Sequence, residues 1–150
     1  MLTHKTSWLQ PPLVFPTSHA SRGQFLPIAK ARGILALHFD EFKEWWDTLT
    51  EAAQDSISAV VTLLERKGAM LSFPYSSAIS RSRHSHMREL RIQHQGKPIR
   101  IFYAFDSRRH AILLIGGDKT GKDRFYEEYV SIADFLYDKY LEELKKEGLI

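Results

Sequence analysis

The order strand, two helices, three strands, helix assigns this chain to the α+β class: one N-terminal strand, a helical hairpin, a three-stranded antiparallel meander and a C-terminal helix. Two observations predict it. The spacing of apolar residues switches from helical to alternating and back to helical along the chain. The links between the three central strand-like segments are short and polar, which joins antiparallel neighbours. Elements segregated in this way pack helices on one face of a small sheet. With 150 residues, 43% of them hydrophobic and eighteen aromatic, the chain is about one domain long and can bury a single core.

Residues 1–32 read as an irregular, poorly ordered extension, because Pro11, Pro12, Pro16, Pro27 and Gly23 interrupt every short apolar run. The domain proper then spans residues 33–150. Gly33 to His38 is a first strand. Phe39, Phe42, Trp45, Trp46 and Leu49 follow at helical spacing, with Asp40 as N-cap. Ala53, Ile57, Val60, Val61 and Leu64 form the stripe of a second helix, which Gly68 stops. Residues 69–86 read as a serine-rich loop. Met87–His94, Pro98–Asp106 and His110–Gly116 are the meander strands, and a helix runs from about Asp123 to Lys146.

Charge is unevenly distributed. The net of +3 divides into +3 for residues 1–40, −3 for 41–80, +7 for 81–124 and −4 for 125–150. Four of the seven histidines (His84, His86, His94, His110) share the basic block. A basic segment between acidic ones is an electrostatic footprint for a polyanion, although some arginines can pair with the acidic helices in cis. With no cysteine, disulfides, thiolate zinc sites and thiol nucleophiles are excluded, which fits a cytoplasmic protein. No apolar run approaches the roughly 18 residues of a membrane span, and no signal peptide is visible.

Strand alternation sorts the basic residues. Leu90 and Ile92 face the core, so Glu89, Arg91 and Gln93 point the other way. Ile99, Ile101, Tyr103 and Phe105 share one face, which leaves Arg100 opposite with Phe102 and Ala104. Arg91 and Arg100 can therefore sit on adjacent strands, away from the helices, unless the register slips by one. Two neighbouring guanidiniums favour an anion between them, and phosphate suits their geometry. The competing reading is a pair of surface arginines bound to Glu89 or Gln93. Gly116 to Asp123 matches the start of a nucleotide phosphate loop, but Asp123 stands where that loop needs Ser or Thr. The strand order also lacks the parallel sheet that carries such a loop, so nucleotide hydrolysis is rejected. His84 and His86, two apart, form a possible metal pair without a third ligand, and no metal site is assigned.

Several runs together resemble the phage-derived HigB-like branch of the RelE/ParE toxin superfamily. They are Phe42-x-x-Trp45-Trp46, Phe73-Pro74-Tyr75-Ser76-Ser77, Arg83-His84-x-His86-Met87-Arg88-Glu89-Leu90-Arg91, Arg100-Ile101-x-Tyr103-Ala104-Phe105-Asp106 and Leu113 to Gly121. The resemblance covers roughly residues 34–148. It implies a RelE-like fold, a cognate antitoxin (in this branch usually a helix-turn-helix, HigA-like protein) and endonucleolytic cleavage of mRNA, often on the ribosome. Carried over by position, it implies catalytic roles for Glu89, Arg91, Arg100, Lys119 and Tyr126. Arg83, His84, His86, Arg88, Lys97, Lys122 and Arg124 are the further candidates for binding substrate.

The implied reaction is attack of a ribose 2′-hydroxyl on the adjacent phosphate, which needs a base, an acid and cations but neither metal nor cofactor. Arg91, Arg100 and Lys119 would stabilise charge. Glu89, Tyr126 or a histidine would move protons. Two rivals stand beside this reading. One is a ParE-like inhibitor of DNA gyrase that cuts nothing. The other is a non-catalytic RNA-binding module.

Overall fold

The structure, a computed structural model, describes residues 33–36 and 39–150. The extension expected over residues 1–32 and the end of the first strand, Leu37 and His38, lie outside the described residues. The elements in order are β1 (Ile34–Leu35), α1 (Asp40–Asp47), α2 (Glu51–Lys67), a 3₁₀ turn (Gly68–Met70), β2 (Ser76–Ala78), β3 (Arg88–His94), β4 (Lys97–Phe105), β5 (Ala111–Asp118) and α3 (Phe125–Lys146). The class is α+β, consistent with a RelE-like fold, and the central antiparallel meander is β3-β4-β5.

Local chemistry accounts for most boundaries. Phe39, not Asp40, is the N-cap of α1; Asp40 and Glu41 sit in its first turn, where carboxylates suit the helix dipole. Thr50 caps α2 by accepting a hydrogen bond from the Ala53 amide at 3.1 Å. Gly68, at φ +55°, ends that helix. Gln95 and Gly96 both take positive φ and turn β3 into β4 across two residues.

The meander is widened on both sides into a five-stranded sheet of order β1-β5-β4-β3-β2. Here β1 joins β5 in parallel and β2 joins β3 antiparallel. The β2 strand lies within the stretch read as loop. Its residues, Ser76, Ser77 and Ala78, carry no apolar alternation to announce them.

Helices cover both faces of the sheet, not one. Against one face, α1 and α2 pack Phe42, Trp46, Ile57, Val61 and Leu64 onto Leu90, Ile92, Ile99, Ile101, Tyr103 and Leu113. Against the other, α3 packs Phe125, Val130, Ala133, Leu136 and Tyr140 onto Met87, Phe102, Ala104, Ile112 and Leu114. The physical sign is in the strands themselves: Ala111 to Ile115 is apolar at every position, as a strand buried on both sides must be. The face that carries Arg91 and Arg100 is thus the α3 face. There α3 lies over β5 and β4, and Arg91 on β3 keeps 27% of its side chain exposed.

A bulge sets the register between β4 and β5. Phe102 opposes Ile115 and Tyr103 opposes Leu113, so β5 places Leu114 as one extra residue. Beyond the bulge Gly116 faces α1 and Gly117 faces α3. A Cβ on Gly116 would lie 2.3 Å from the Trp45 ring, and one on Gly117 would lie 2.7 Å from the Tyr129 ring. Gly116 and Gly117 therefore make room for aromatic side chains, which explains these two glycines without a nucleotide loop.

Gly116→Ala should therefore lower stability by about 1–3 kcal/mol, the usual cost of overpacking, toward the upper end because an indole cannot flex. Urea unfolding measures this, and an unchanged midpoint would mean that Trp45 is free to move aside.

Candidate functional site

Pairing in the sheet puts Arg91 and Arg100 on adjacent strands, as the alternation of β3 and β4 predicts, directly opposite one another, with Gly117 opposite Arg100 on its other side. Between the two arginines lies Glu89, whose side chain is 5% exposed. One carboxylate oxygen, Oε1, accepts the Tyr126 hydroxyl at 2.8 Å and lies 3.6 Å from Arg100 Nε. The other, Oε2, accepts Ser77 Oγ at 2.8 Å and Arg91 Nη1 at 3.1 Å. The Lys119 ammonium stands over the Tyr126 ring, 5.2 Å from its centre. The five residues implied as catalytic are therefore brought together, from β3, β4, the turn after β5 and the first turn of α3.

The surroundings fix each group. Tyr126 meets Phe102 edge-on at 6.0 Å and Phe125 edge-on at 5.4 Å, so its ring has little freedom. Burial and the hydrogen bond to Glu89 raise its pKa, and it stays a phenol near neutrality. Burial and the neighbouring Arg100 lower the pKa of Lys119, against the opposing pull of Glu89. Arg100 is 6% exposed and donates Nη1 to the Ile99 carbonyl at 3.0 Å. Arg91 is more open at 27% and has Phe73 beneath its guanidinium carbon at 5.0 Å. Three cations surround one anion. The excess positive charge is what a phosphate would neutralise.

Most of the further candidates lie elsewhere. Arg83 and His84 pair with Asp138, and His86 meets the Tyr137 hydroxyl at 3.1 Å, all against the later turns of α3. Their loop is pinned there too, because Asp134 accepts the Ser82 hydroxyl and the Arg83 amide. Burial, then the nearby His84, lowers the pKa of His86. Among the described residues no group of three or more His, Cys, Asp or Glu is placed to hold a metal ion. Arg88 points to the opposite sheet face, donating to Ser76 Oγ, which also meets the Tyr103 hydroxyl. Lys97 sits at the far end of β4, paired with His94. Lys122 stands over the Tyr129 ring at 5.6 Å, and Arg124 is paired with Glu127 on the surface. Lys122 thus sits over a ring one helical turn beyond Tyr126 on α3.

Two residues at the site were missed in the sequence. Ser77 is opposite Glu89 in the β2–β3 pairing and supplies one of its hydrogen bonds, but nothing announced β2. Phe73 is 69% exposed beside Arg91. Both stand in the Phe73–Ser77 run that carries part of the family resemblance, which gives neither of them a role.

Replacing Glu89 by alanine leaves Arg91 and Arg100 facing one another without an anion. We expect a loss of about 2–4 kcal/mol, discounted for the exposure of Arg91. Millimolar phosphate should recover part of it by occupying the gap. Thermal melts of Glu89→Ala across a phosphate series, against chloride at equal ionic strength, measure this; a melt that phosphate leaves unshifted would mean that the cations do not form an anion site.

Comparison with known proteins shows the family. Residues 44–138 match the family described as phage-derived protein Gp49-like (DUF891). The candidate toxin HigB3 of Mycobacterium tuberculosis (strain ATCC 25618 / H37Rv) is 37% identical over 102 residues, which are 67% of this chain and 88% of that protein. The candidate toxin HigB2 of the same organism is 33% identical over 104 residues, 68% of this chain but only 52% of that longer relative. No solved structure is matched. The chain belongs to the phage-derived Gp49-like family, the HigB-like branch of the toxins of toxin–antitoxin systems.

Proposed function

We propose that this toxin is a metal-independent endoribonuclease that cuts mRNA, in association with the ribosome, by attack of a 2′-hydroxyl on the adjacent phosphate. The observation that carries the reading is the buried Glu89 carboxylate held among Arg91, Arg100, Lys119 and the Tyr126 hydroxyl. A phosphate drawn in by the surplus charge lies beside both a proton acceptor and proton donors. The geometry favours a relay through Tyr126. Its phenol already donates to Glu89, and its oxygen can accept the 2′-proton while its own proton passes to Oε1. No phenolate forms, in keeping with the raised pKa. The 2′-oxygen then bonds to phosphorus, and Arg91 and Arg100 stabilise the phosphorane charge. Lys119 gives a proton to the departing 5′-oxygen, a step that its lowered pKa eases. The products are a 2′,3′-cyclic phosphate and a 5′-hydroxyl.

A toxin of this family implies a cognate antitoxin, and the finer reading is a helix-turn-helix, HigA-like partner acting in the cytoplasm. No described helix is long and apolar enough to cross a membrane.

Incubating the purified chain with ribosomes and a translated message, then mapping 5′ ends, tests the proposal; intact message under active translation would sink it. Arg100→Ala should lower kcat by about 10²–10³, the usual cost of one transition-state donor. The alkaline limb of the rate should fall below the ordinary lysine value of about 10.4, and Lys119→Arg should move it upward. A limb unmoved by that substitution would remove Lys119 as the acid.

A further inference from the structure

Phe73 stands out among the large apolar side chains because it is 69% exposed on a loop that is tied down on both sides. Ser72 accepts hydrogen bonds from the amides of Tyr75 (3.0 Å) and Ser76 (3.1 Å). The Tyr75 carbonyl accepts the Arg91 amide at 2.8 Å, and Ser77 is bonded to Glu89. Leu71 anchors the start of the loop in the core at 3% exposure. A phenyl ring held out in water by a tethered backbone is poised for a partner.

Arg91 says which partner. Its Nη1 is 3.1 Å from Glu89 Oε2, and its guanidinium carbon lies over the Phe73 ring at 5.0 Å. One side chain thus joins the cationic basin to an exposed aromatic face. A nucleotide has the same two parts, an anionic phosphate and a flat base, joined by a sugar. Aromatic rings and guanidinium planes hold splayed bases of single-stranded RNA by stacking, whatever the base.

We propose that Phe73, with the half-exposed Tyr75 beside it, is a nucleobase subsite that stacks one base next to the scissile phosphate. This inference rests on the ribonuclease reading and adds a substrate-positioning residue to it. Met70, 81% exposed at the start of the same loop, makes a protein partner the competing occupant.

The probe is a fluorescent six-nucleotide RNA carrying 2′-O-methyl groups, which cannot be cut, together with an abasic version of the same backbone. Binding to the full chain is read by anisotropy. Phe73→Ala should weaken binding of the RNA about ten-fold or more, the range seen when a stacking ring is removed. Phe73→Trp should restore it, and the abasic strand should bind both variants alike. Salt dependence should be unchanged in Phe73→Ala, since no phosphate contact is lost, but shallower in Arg91→Gln. Equal RNA binding by wild type and Phe73→Ala overturns the subsite while leaving the ribonuclease reading intact. So does loss of antitoxin binding in Phe73→Ala with RNA binding unaltered, which would give the ring to a protein. If the wild type neither binds the RNA nor cuts translated message, both the subsite and the ribonuclease reading fall. The ring is exposed, so the variants should melt as the wild type does.

Discussion

A carboxylate taken out of water costs several kcal/mol unless the groups around it compensate, and Glu89 is the carboxylate this fold has to accommodate. It does so with two guanidiniums, a phenol and a serine hydroxyl, which occupy both oxygens. Each partner arrives from a different element, so the buried anion also ties β2, β3, β4 and the start of α3 to one point. The arrangement is not electrically balanced. Arg91, Arg100 and Lys119 together exceed the single negative charge between them, and the low-dielectric setting makes that excess count for more than it would on a surface. Stability and anion affinity are therefore opposed here, as they often are where a protein holds a charged substrate.

The rest of the sheet serves to hold this cluster in place. Without the bulge on β5, the parity of that strand beyond Leu114 would reverse, and the side chain opposite Arg100 would change face. Gly117 opposite Arg100 leaves room for Tyr129, which stacks on Phe125 at 4.3 Å and closes the aromatic wall behind Tyr126. Gly116 does the same for Trp45 on the other face. One strand end thus carries two adjacent glycines for two different aromatic rings. That double packing demand explains why the segment looks like a phosphate loop without being one.

Much of this was legible in the sequence, and what was not has physical reasons. Periodicity located α1, α2, α3 and the meander within a residue or two, and alternation paired Arg91 with Arg100 correctly. It failed at β2, where three small residues have no apolar pattern, and at the layer count. The run from Ala111 to Ile115 carries the sign of two covered faces, whereas the order of elements alone does not. The seven further candidates belong to the basic block, and membership of such a block does not say where an arginine points. Arg88 went to the other face, whereas Arg83 and His84 are taken up by Asp138, twelve residues along α3 from Tyr126. Cis pairing with the acidic helix, the bland alternative for those residues, is what the fold uses.

The electrostatics also bear on the rival readings of the toxin. A surface that only binds a polyanion gains most from exposed, mobile cations, since counterion release rewards charge and not geometry. Burying a glutamate among those cations weakens the attractive field and costs desolvation energy, so it is hard to account for in a passive RNA-binding face. The same holds for a surface that merely docks on gyrase, where Tyr126 would have no reason to be fixed edge-on between Phe102 and Phe125. A reaction that must move a proton does have such a reason. It needs an acceptor near the phosphate, oriented and shielded from water, and a donor in contact with it. In the proposed reaction Glu89 and Tyr126, 2.8 Å apart, would be that pair, and the two arginines that make Glu89 tolerable are the ones that would stabilise the phosphorane.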